Sequence, residues 1–417
     1  MPYYYIWTIG CQMNKAESER LASLFSQKGM QATEHIDEAD VVVINTCVVR
    51  QHAEERVVNK LHSLRSFKKA NPQMLLAVTG CWVDANPDQL LKAFPYVDYF
   101  FKAGEAPPWQ ERGQWAQALP EKPGVTAYVP IIQGCNNFCA YCIVPYRRGR
   151  EKSRALDEIV CEVKALVDRG TREVTLLGQN VDSYGHDLPE KPELADLLTE
   201  LNKIDGLGRI RFLTNHPKDM NQRLISTIPR LSKVCEAFNI PVQAGSDAIL
   251  KSMRRGYTVA DYRQLIAGIR ATIKGVALSN DIIVGFPTET AAQFQQTVTL
   301  LEELKFDTVH VAAYSPRAGT LAAREMKDDV PPQEKKRRLQ IIEKLQEEIA
   351  GKINGALQNT IAAVLVEGKD DEKWYGRTRT DKIVFFKDDA DWTGKIVNIK
   401  IERTSPWSLQ GFVSKDN

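Results

Sequence analysis

Long apolar runs and a large excess of charge are both missing from this sequence of 417 residues. No window offers the roughly 18 uninterrupted apolar residues of a membrane-spanning helix. The first residues, MPYYYIWTIGCQMN, lack the basic stretch, apolar run and small-residue cleavage site of a secretory signal. These absences lead us to expect a cytoplasmic protein without a membrane partner.

The net charge is only +2, from 55 basic and 53 acidic residues. Nucleic-acid binding therefore cannot be inferred from overall charge and has to be sought in local patches. Hydrophobic residues make up 43% of the chain and charged residues 26%, as in ordinary globular proteins. The length indicates two or three domains, each able to bury its own core.

Cysteine is scarce, at eight residues, and in a reducing cytoplasm clustered cysteines are more often metal ligands than disulfides. Cys135, Cys139 and Cys142 have the spacing C-x3-C-x2-C. A structural zinc site needs four ligands, so this group is one short. Three thiolates suit a 4Fe–4S cluster whose open iron can bind a small molecule through an amine and a carboxylate. The alternative is a zinc knuckle completed by Cys161, Cys235 or a histidine.

The first 105 residues alternate strand-like and helix-like segments, a pattern typical of a parallel sheet. Each of three apolar runs is followed by a cysteine: Cys11, Cys47 and Cys81. Ligands in such sheets lie at the carboxyl ends of the strands. We therefore predict a second 4Fe–4S cluster on these cysteines, again with one open iron. The alternative is that each is a small core residue.

Residues 106–126 contain Pro and Gly without sustained periodicity and are predicted to link the first domain to a central domain at 127–350. Six candidate strands separated by helical stretches predict a partial (β/α)6 barrel. These strands are Ala127–Gln133, Glu173–Leu177, Arg209–Thr214, Ala237–Val242, Leu278–Val284 and Thr308–Tyr314.

The chemistry of such barrels lies at the carboxyl ends of their strands, where the Cys135 loop falls. Positions at or near the same ends suggest Gln179, Gln243 and Asp281 as cofactor contacts. A turn-forming or strand-capping role is the alternative for each of them.

Five cations lie within eight residues directly after the cysteine loop: Arg147, Arg148, Arg150, Lys152 and Arg154. Charge runs are commonly solvated faces. This run adjoins the predicted reactive centre and has few acidic residues near it. We predict that Arg147, Arg148 and Arg150 contact RNA phosphates.

Residues 352–417 change to short strand-like runs divided by Gly, Asp and Ser turns, which predict a small β-barrel of the type that binds oligonucleotides. The predicted strands are Thr360–Val366, Ile383–Phe386, Lys395–Ile401 and Gly411–Ser414. Between the first two runs, Arg377 and Arg379 are predicted phosphate contacts.

Motifs in all three predicted domains resemble those of one known family. The first domain carries GCQMN at 10–14, NTC at 45–47 and GC at 80–81, and the second has Tyr141 before the third cysteine of its loop. The last domain is similar to a TRAM domain. Together these motifs resemble the radical S-adenosylmethionine methylthiotransferases. Two departures are Ala244, where serine is common, and Trp82-Val83 after Cys81.

Five segments most resemble the members of that family that act on isopentenylated adenosine in tRNA. They are Leu176–Gly185, Arg209–Asp219, Pro241–Thr258, Asp281–Thr290 and Tyr314–Thr320. The resemblance implies conversion of N6-isopentenyladenosine, next to the anticodon on its 3′ side, to the 2-methylthio derivative. The C2 hydrogen of the adenine is not acidic enough for a side-chain base, so no acid or base residue is predicted.

The resemblance also implies cofactors and partners. The cluster at Cys135, Cys139 and Cys142 would reduce S-adenosylmethionine, and the cluster at Cys11, Cys47 and Cys81 would be the auxiliary one that supplies sulfur. The partners are the tRNA anticodon loop, an electron donor such as flavodoxin or ferredoxin, and a sulfur source that rebuilds the auxiliary cluster.

Two alternatives of different kinds stay open at this point. The same chemistry could act on threonylcarbamoyladenosine in tRNA or on an aspartate of a ribosomal protein. A chain without catalysis would instead be a zinc-containing RNA-binding scaffold. The first alternative differs in the modified product, and the second in the bound metal.

Overall fold

The computed structural model describes residues 1–48, 51–83, 87–110, 115 and 118–414. The elements form three units, each built on its own sheet or barrel. Part of the predicted linker at 106–126 lies outside the described residues, as do the last three residues of the predicted C-terminal domain.

The N-terminal unit is a five-stranded parallel sheet in the order β2-β1-β3-β4-β5. Its strands are β1 (Tyr3–Thr8), β2 (Gln31–Ala32), β3 (Val41–Thr46), β4 (Leu75–Gly80) and β5 (Tyr99–Phe100). Its helices are α1 (Gln12–Gln27), α2 (Gln51–Ala70) and α3 (Pro87–Ala93), with a 3-10 turn at Ile36–Glu38. Val42, Val43 and Ile44 are fully buried because β3 is central and both its faces are covered. The predicted parallel sheet is confirmed.

The central unit contains six parallel strands that follow one another in sequence order. They are β6 (Thr126–Pro130), β9 (Glu173–Leu177), β10 (Arg209–Phe212), β11 (Ala237–Asn239), β12 (Ala277–Val284) and β13 (Thr308–Ala313). A parallel bridge between Ile210 and Val234 links the first three strands to the last three. The predicted partial (β/α)6 barrel is confirmed. Between β6 and β9, β7 (Ile132–Gln133) and β8 (Lys152–Ser153) pair in antiparallel fashion at the base of the cysteine loop.

Nine helices belong to this unit within the residues that the structure describes. They are α4 (Val144–Arg148), α5 (Leu156–Asp168), α6 (Leu194–Asn202), α7 (Gln222–Thr227), α8 (Asp247–Ser252), α9 (Val259–Thr272), α10 (Ala291–Leu304), α11 (Leu321–Glu325) and α12 (Pro332–Gly355). Further 3-10 turns lie at Val181–Ser183 and Ile228–Arg230. Thr258 and Thr290 start α9 and α10 with reciprocal capping boxes, which satisfy the first free backbone donors. Within the part of the chain that the structure describes, no helix is both long and apolar enough to cross a bilayer.

The C-terminal unit is a closed five-stranded barrel in the order β14-β15-β16-β18-β17. Its strands are β14 (Ile361–Asp370), β15 (Lys373–Thr378), β16 (Ile383–Phe386), β17 (Ile396–Thr404) and β18 (Leu409–Val413). The predicted barrel is confirmed, but β15 was not among its predicted strands.

Two arginines of β10 hold the C-terminal barrel against the central one. Ile210 and Phe212 of this strand pack in the core, so Arg209 and Arg211 lie on its opposite face. Arg209 Nη1 donates to the Arg377 carbonyl at 2.6 Å, and Arg211 Nη2 donates to the Thr378 carbonyl at 2.6 Å. The two guanidinium groups therefore donate hydrogen bonds to carbonyls at the end of β15 and fix the position of that strand.

Candidate metal centres and the cavity between the units

The three cysteines of the N-terminal unit meet at the carboxyl edge of its sheet. Cys11 precedes α1, and Cys47 and Cys81 directly follow β3 and β4. The Cys81 backbone N–H donates to the Thr46 carbonyl at 2.9 Å and ties these two loops together. A Cβ added to Gly10 would lie 3.1 Å from the Cβ of Cys47, so the Cys11 loop is adjacent as well. The structure thus brings the three loops that carry the predicted trio together.

Two buried asparagines from the sequence motifs hold these loops. Asn14 Nδ2 donates to Asn45 Oδ1 at 2.7 Å and to the Thr46 carbonyl at 2.9 Å. Asn45 Nδ2 donates back to the Asn14 carbonyl at 2.9 Å. The Cys11 thiol donates to Asn14 Oδ1 at 3.2 Å. The contacts of Asn14 and Asn45 position the cysteine loops, a role that the sequence motifs did not indicate.

Arg148 joins this trio to the cysteine loop of the central barrel. It ends α4, which begins shortly after Cys142. Its Nε donates to Cys81 Sγ at 3.0 Å and its Nη1 donates to Glu17 Oε1 at 2.7 Å. Only 2% of the side chain is exposed. The two cysteine groups are therefore neighbours, and the prediction that Arg148 contacts RNA is wrong, because its guanidinium is buried between Cys81 and Glu17.

The second trio lies in the loop between β7 and α4. The Cys142 N–H donates to the Cys139 carbonyl at 2.9 Å, which makes a tight turn of the C-x2-C segment. Gly134 precedes the first cysteine with φ +81°, and a Cβ there would lie 2.1 Å from the Arg150 carbonyl. The loop therefore requires glycine at this position, because any side chain would clash with backbone.

Arg255, which the sequence patterns did not single out, contacts the central trio directly. Its Nη1 donates to Cys139 Sγ at 3.3 Å. Its Nε donates to the Tyr257 hydroxyl and its Nη2 to the Pro241 carbonyl, both at 2.8 Å. The side chain is buried. No spacing rule identifies this arginine, and its only sequence signal is its place in the motif at 241–258.

Burial controls the proton affinity of the thiols. It raises the pKa of Cys142 to about 12, and the neighbouring Cys139 adds to the shift. It raises the pKa of Cys81 to about 11, although the adjacent Arg148 opposes the change. The thiolate is the form that binds metal, so iron must displace these protons. Cluster retention should therefore weaken as the pH falls.

Both trios have the composition of a four-iron site, in which each thiolate binds a different iron. Among the described ranges, no three or more His, Cys, Asp or Glu side chains form a group that could hold a metal ion. The proposed fourth zinc ligands are placed elsewhere. Cys161 is exposed on α5, and Cys235 is buried, bonded through its N–H to Ile210 near the start of β10. The cysteine loop lies at the other end of the strands, so neither residue completes a zinc knuckle there.

A cavity of about 540 Å³ lies where the three units meet. Its polar and aromatic walls are formed by Gln12, Thr214, Asn239, Ser279, Asp281, Asp307, Thr308, His310, Asn354, Arg377, Asp381, Lys382, Trp407 and Ser408. Gln12 follows Cys11 directly, so the cavity extends to a loop of the N-terminal trio. Side chains of all three units therefore face a common space here.

The three predicted cofactor contacts occupy different positions. Gln179 Oε1 accepts from the Gly134 N–H at 2.6 Å and supports the cysteine loop. Asp281 accepts from Asn239 Nδ2 at 3.1 Å and lines the cavity. Gln243 is buried, has φ +76°, and donates from its backbone N–H to the Asp281 carbonyl at 3.0 Å. Contact with a cofactor stays a prediction for all three.

A buried polar network lies beyond the carboxyl ends of β9 and β10. Asp182 accepts from Asn215 Nδ2 at 2.6 Å and from the His216 N–H at 2.8 Å. Burial raises the pKa of Asp182 to about 7 and lowers the pKa of His216 to about 2, so the imidazole is neutral. Within the described residues, His216 Nε2 and Asn215 Oδ1 are buried without a hydrogen-bond partner. Buried polar atoms of this kind usually have a partner, so they are candidates for contact with bound cofactor or water.

The two arginines predicted as phosphate contacts in the C-terminal barrel differ in position. Arg377 lines the cavity with 39% of its side chain exposed, 3.3 Å from both Glu367 and Asp381. Arg379 instead donates to both carboxylate oxygens of Glu236, at 2.7 and 2.8 Å. This ion pair fastens the barrel to the central unit and speaks against the predicted phosphate contact of Arg379.

Two other cations predicted to bind RNA lie around the cysteine loop. Arg150 is exposed and stacks on Phe138, with its guanidinium carbon 4.4 Å from the ring centroid. The Phe138 ring also meets the ring of the exposed Tyr146 edge-on, at 5.7 Å. Arg147 is half-buried. RNA contact stays a prediction for Arg147 and Arg150.

Three protein-family models match successive parts of the chain. They are the uncharacterized protein family UPF0004 at residues 3–102, the radical SAM superfamily at 129–301 and the TRAM domain at 356–413. The three matches fall on the three structural units in the same order.

Relatives match over nearly the full length. The tRNA-2-methylthio-N(6)-dimethylallyladenosine synthase of Dehalococcoides mccartyi (strain CBDB1) is 56% identical over 410 residues, which cover 98% of each chain. The protein of that name from Roseiflexus sp. (strain RS-1) is 45% identical over 429 residues, covering 99% of this chain and 90% of the relative. The chain belongs to the tRNA-2-methylthio-N(6)-dimethylallyladenosine synthase family. The family resemblance inferred from the motifs is confirmed.

The fold of this synthase-family chain is similar to that of a solved radical S-adenosylmethionine methyltransferase, TsrM, from Kitasatospora setae. The TM-score is 0.56, over 78% of this chain and 74% of that one, at 12% sequence identity. At so low an identity the likeness concerns the fold alone. The assignment of the central unit to the radical SAM superfamily comes from the family model that matches residues 129–301.

Proposed function

We propose that this chain transfers a methylthio group to C2 of N6-isopentenyladenosine, next to the anticodon of tRNA on its 3′ side, as a radical S-adenosylmethionine enzyme. The observation that carries the proposal is the contact of the segment after the central trio with the N-terminal trio, in which Arg148 Nε donates to Cys81 Sγ at 3.0 Å. The full-length likeness to synthases named for this product supports the substrate.

The two trios would hold the two cofactors. One 4Fe–4S cluster would be bound by Cys135, Cys139 and Cys142, and the other by Cys11, Cys47 and Cys81. When bound, the clusters supply the electron that cleaves S-adenosylmethionine and the sulfur that is transferred. The chain itself positions them, and we propose that Gln179, Gln243 and Asp281 contact S-adenosylmethionine.

The cavity between the units would receive the target base. An adenine has to leave the anticodon stack to be reached, as for other enzymes that act on a base. Asn239 and Asp281 in the wall offer hydrogen-bond donors and acceptors to its edge. Trp407 is 61% exposed at the same cavity and offers a ring on which a base can stack. We assign no side chain as general acid or base, because C2–H is too weakly acidic for one.

The RNA backbone would be held by cations outside the reacting centre. Arg377 lies at the cavity, and Arg147 and Arg150 lie after the cysteine loop. Electrostatic contacts of this kind supply affinity without reading sequence. We propose a functional division at residues 1–105, 106–126, 127–350 and 352–417.

Two further partners follow from the chemistry. A one-electron donor such as flavodoxin or ferredoxin has to reduce the cluster at Cys135, Cys139 and Cys142. A sulfur source has to rebuild the auxiliary cluster after turnover, because the transferred sulfur leaves with the product. We propose that the protein works in the cytoplasm, where these partners and tRNA meet.

Nucleoside analysis of tRNA tests the substrate. Cells that lack the chain should contain N6-isopentenyladenosine, and cells that express it should contain the 2-methylthio derivative, measured by mass spectrometry. Expression of the Cys139→Ala variant should leave the nucleoside unmodified. A new methylthio group on threonylcarbamoyladenosine, or on a ribosomal-protein aspartate, would contradict the proposed substrate.

Iron content tests the two cofactor sites separately. Anaerobically reconstituted protein should hold about eight irons, four for each cluster. Cys81→Ala and Cys139→Ala should each lose about four, because each removes one thiolate from a different trio. Cys161→Ala is the matched control, since that thiol is exposed on α5 away from both trios, and should lose none. Zinc in place of iron would contradict the proposal.

A further inference from the structure

One cysteine of each trio accepts a hydrogen bond from a buried arginine. Arg148 Nε donates to Cys81 Sγ at 3.0 Å, and Arg255 Nη1 donates to Cys139 Sγ at 3.3 Å. Both guanidinium groups belong to the central unit, although Cys81 belongs to the N-terminal one. Each predicted cluster would therefore have a fixed cation and a hydrogen-bond donor at one of its sulfur ligands.

The two arginines differ in whether a carboxylate lies next to the guanidinium group. Arg148 forms a buried ion pair with Glu17, at 2.7 Å. Arg255 donates to the neutral oxygens of Tyr257, Pro241 and Tyr141. Among the residues that the structure describes, no carboxylate lies within ion-pair distance of Arg255. One cation is thus opposed by a neighbouring anion and the other is not.

This difference matters for an iron–sulfur cluster, because reduction adds one negative charge. A cation or a hydrogen bond at a ligand sulfur stabilises the reduced form and raises the reduction potential. A carboxylate nearby destabilises the reduced form and lowers the potential. Both effects are strengthened by burial, since the local dielectric constant is low.

We propose that buried arginines set the reduction potentials of the two clusters in different ways. Arg255 raises the potential of the S-adenosylmethionine-cleaving cluster, with no carboxylate opposing it. Arg148 raises the potential of the auxiliary cluster less, because the Glu17 carboxylate offsets part of its charge. The inference rests on the proposed function, in that both trios must hold clusters. It assigns to Glu17, a residue of α1 outside every cysteine motif, an effect on the auxiliary cluster through Arg148.

Redox titrations of the reconstituted full-length protein, followed by electron paramagnetic resonance, test the proposal. The auxiliary signal is assigned with a full-length variant in which Cys135, Cys139 and Cys142 are replaced by alanine. Arg148→Met should lower the auxiliary potential, and Glu17→Gln should raise it. Arg255→Met should lower the potential of the other cluster and leave the auxiliary one unchanged.

Opposite shifts separate tuning from a structural role, because mere loosening of the interface would move both auxiliary variants in the same direction. Arg20→Met is the matched control: Arg20 pairs with Glu162 across the same contact between α1 and the central unit, and touches no cysteine. It should leave the potential of the other cluster unchanged and shift the auxiliary potential far less than Arg148→Met does, because Arg20 has only a weak charge interaction with Glu17.

Glu17→Gln keeps the size of the side chain. If the Arg148→Met protein does not bind iron, the Glu17→Gln protein alone decides the test. An unchanged or lowered auxiliary potential in Glu17→Gln, at full iron content, would overturn the proposal. Wild-type protein without iron at Cys11, Cys47 and Cys81 would instead overturn the proposed function.

Discussion

Asp182 is a residue whose carboxyl group is hard to ionise because it is buried. It is enclosed after β9, and burial raises its pKa from 3.8 to about 7. A raised pKa means that the folded state binds the proton more tightly than the unfolded state. The resulting stabilisation is fully present below the unfolded pKa, near 3.8, and is lost as the pH rises through about 7.

Asp182→Asn should remove this pH dependence, because the amide does not titrate. The shift from 3.8 to about 7 corresponds to on the order of 4 kcal/mol, at about 1.4 kcal/mol per pKa unit. The stability of the variant relative to the wild type should therefore increase as the pH rises from 5 to 8. The urea midpoint of unfolding measures this stability. Midpoints are compared because a chain of several units need not unfold in one step.

The loss of a hydrogen bond in Asp182→Asn adds a constant cost at every pH, so the slope of the difference is the informative quantity. A difference between the two proteins that stays constant from pH 5 to 8 would show that Asp182 is already ionised in the native state at pH 5.

At the same scale, the places of six cysteines in the fold could be predicted from sequence, three from their spacing and three from their positions after strands. Arg148 and Glu17 could not. They are 131 residues apart in the chain, and Arg148 is 67 residues from Cys81. A basic run reads the same whether its side chains face solvent or lie buried against a partner from another domain. Whether such a side chain is exposed or buried depends on a tertiary contact, which the sequence pattern does not show.

Among the elements, β3 and β4 are each followed by a predicted cluster cysteine, and a glycine allows the two loops to approach each other closely. Gly80 ends β4 with φ +101°, a conformation that favours glycine. A Cβ there would lie 2.2 Å from the Thr46 carbonyl oxygen. The Thr46 amide nitrogen would lie 2.5 Å from the same Cβ, and because both neighbours are backbone atoms, no rotamer change could relieve the clash. The loops of Cys47 and Cys81 can meet only because position 80 has no side chain.

Gly80→Ala should therefore destabilise the N-terminal unit by several kcal/mol and remove about four irons. Gly29→Ala is the matched control, since Gly29 also has a positive φ, of +77°, but a Cβ there meets nothing within 4 Å. The control should cost only the left-handed strain, about 1–2 kcal/mol, and keep all its iron. Urea midpoints and iron analysis measure both variants. Equal effects of the two substitutions would contradict the close-approach argument.

Strand β15 (Lys373–Thr378) shows why one element escaped prediction. Trp374, Gly376 and Thr378 are buried, and they alternate with the less buried Lys373, Tyr375 and Arg377. Apolar content is therefore low, and the central glycine is a residue depleted in strands. Pairing with β14 and β16 on either side satisfies its backbone and makes it a strand. Neighbouring strands, rather than its own composition, decide this element.

For the whole molecule, the position of the C-terminal barrel determines which cations can reach RNA. Arg209 and Arg211 hold the end of β15 by its carbonyls, and Arg379 pairs with Glu236 of the central unit. This docking leaves the Arg377 side chain at the cavity. Two arginines that are two residues apart thus have separate roles, one at the cavity and one in the interface.

Arg377→Ala should weaken tRNA binding and lower the slope of log affinity against log salt by about 1, because one phosphate contact is lost. Arg379→Ala should instead loosen the C-terminal barrel, seen as faster proteolysis between the central and C-terminal units, and leave the salt slope of the remaining bound fraction unchanged. Filter-binding titrations at several salt concentrations and limited proteolysis measure the two effects. A lower slope in Arg379→Ala, with proteolysis unchanged, would mean that the ion pair with Glu236 opens in favour of RNA and that the barrel is held by Arg209 and Arg211 alone.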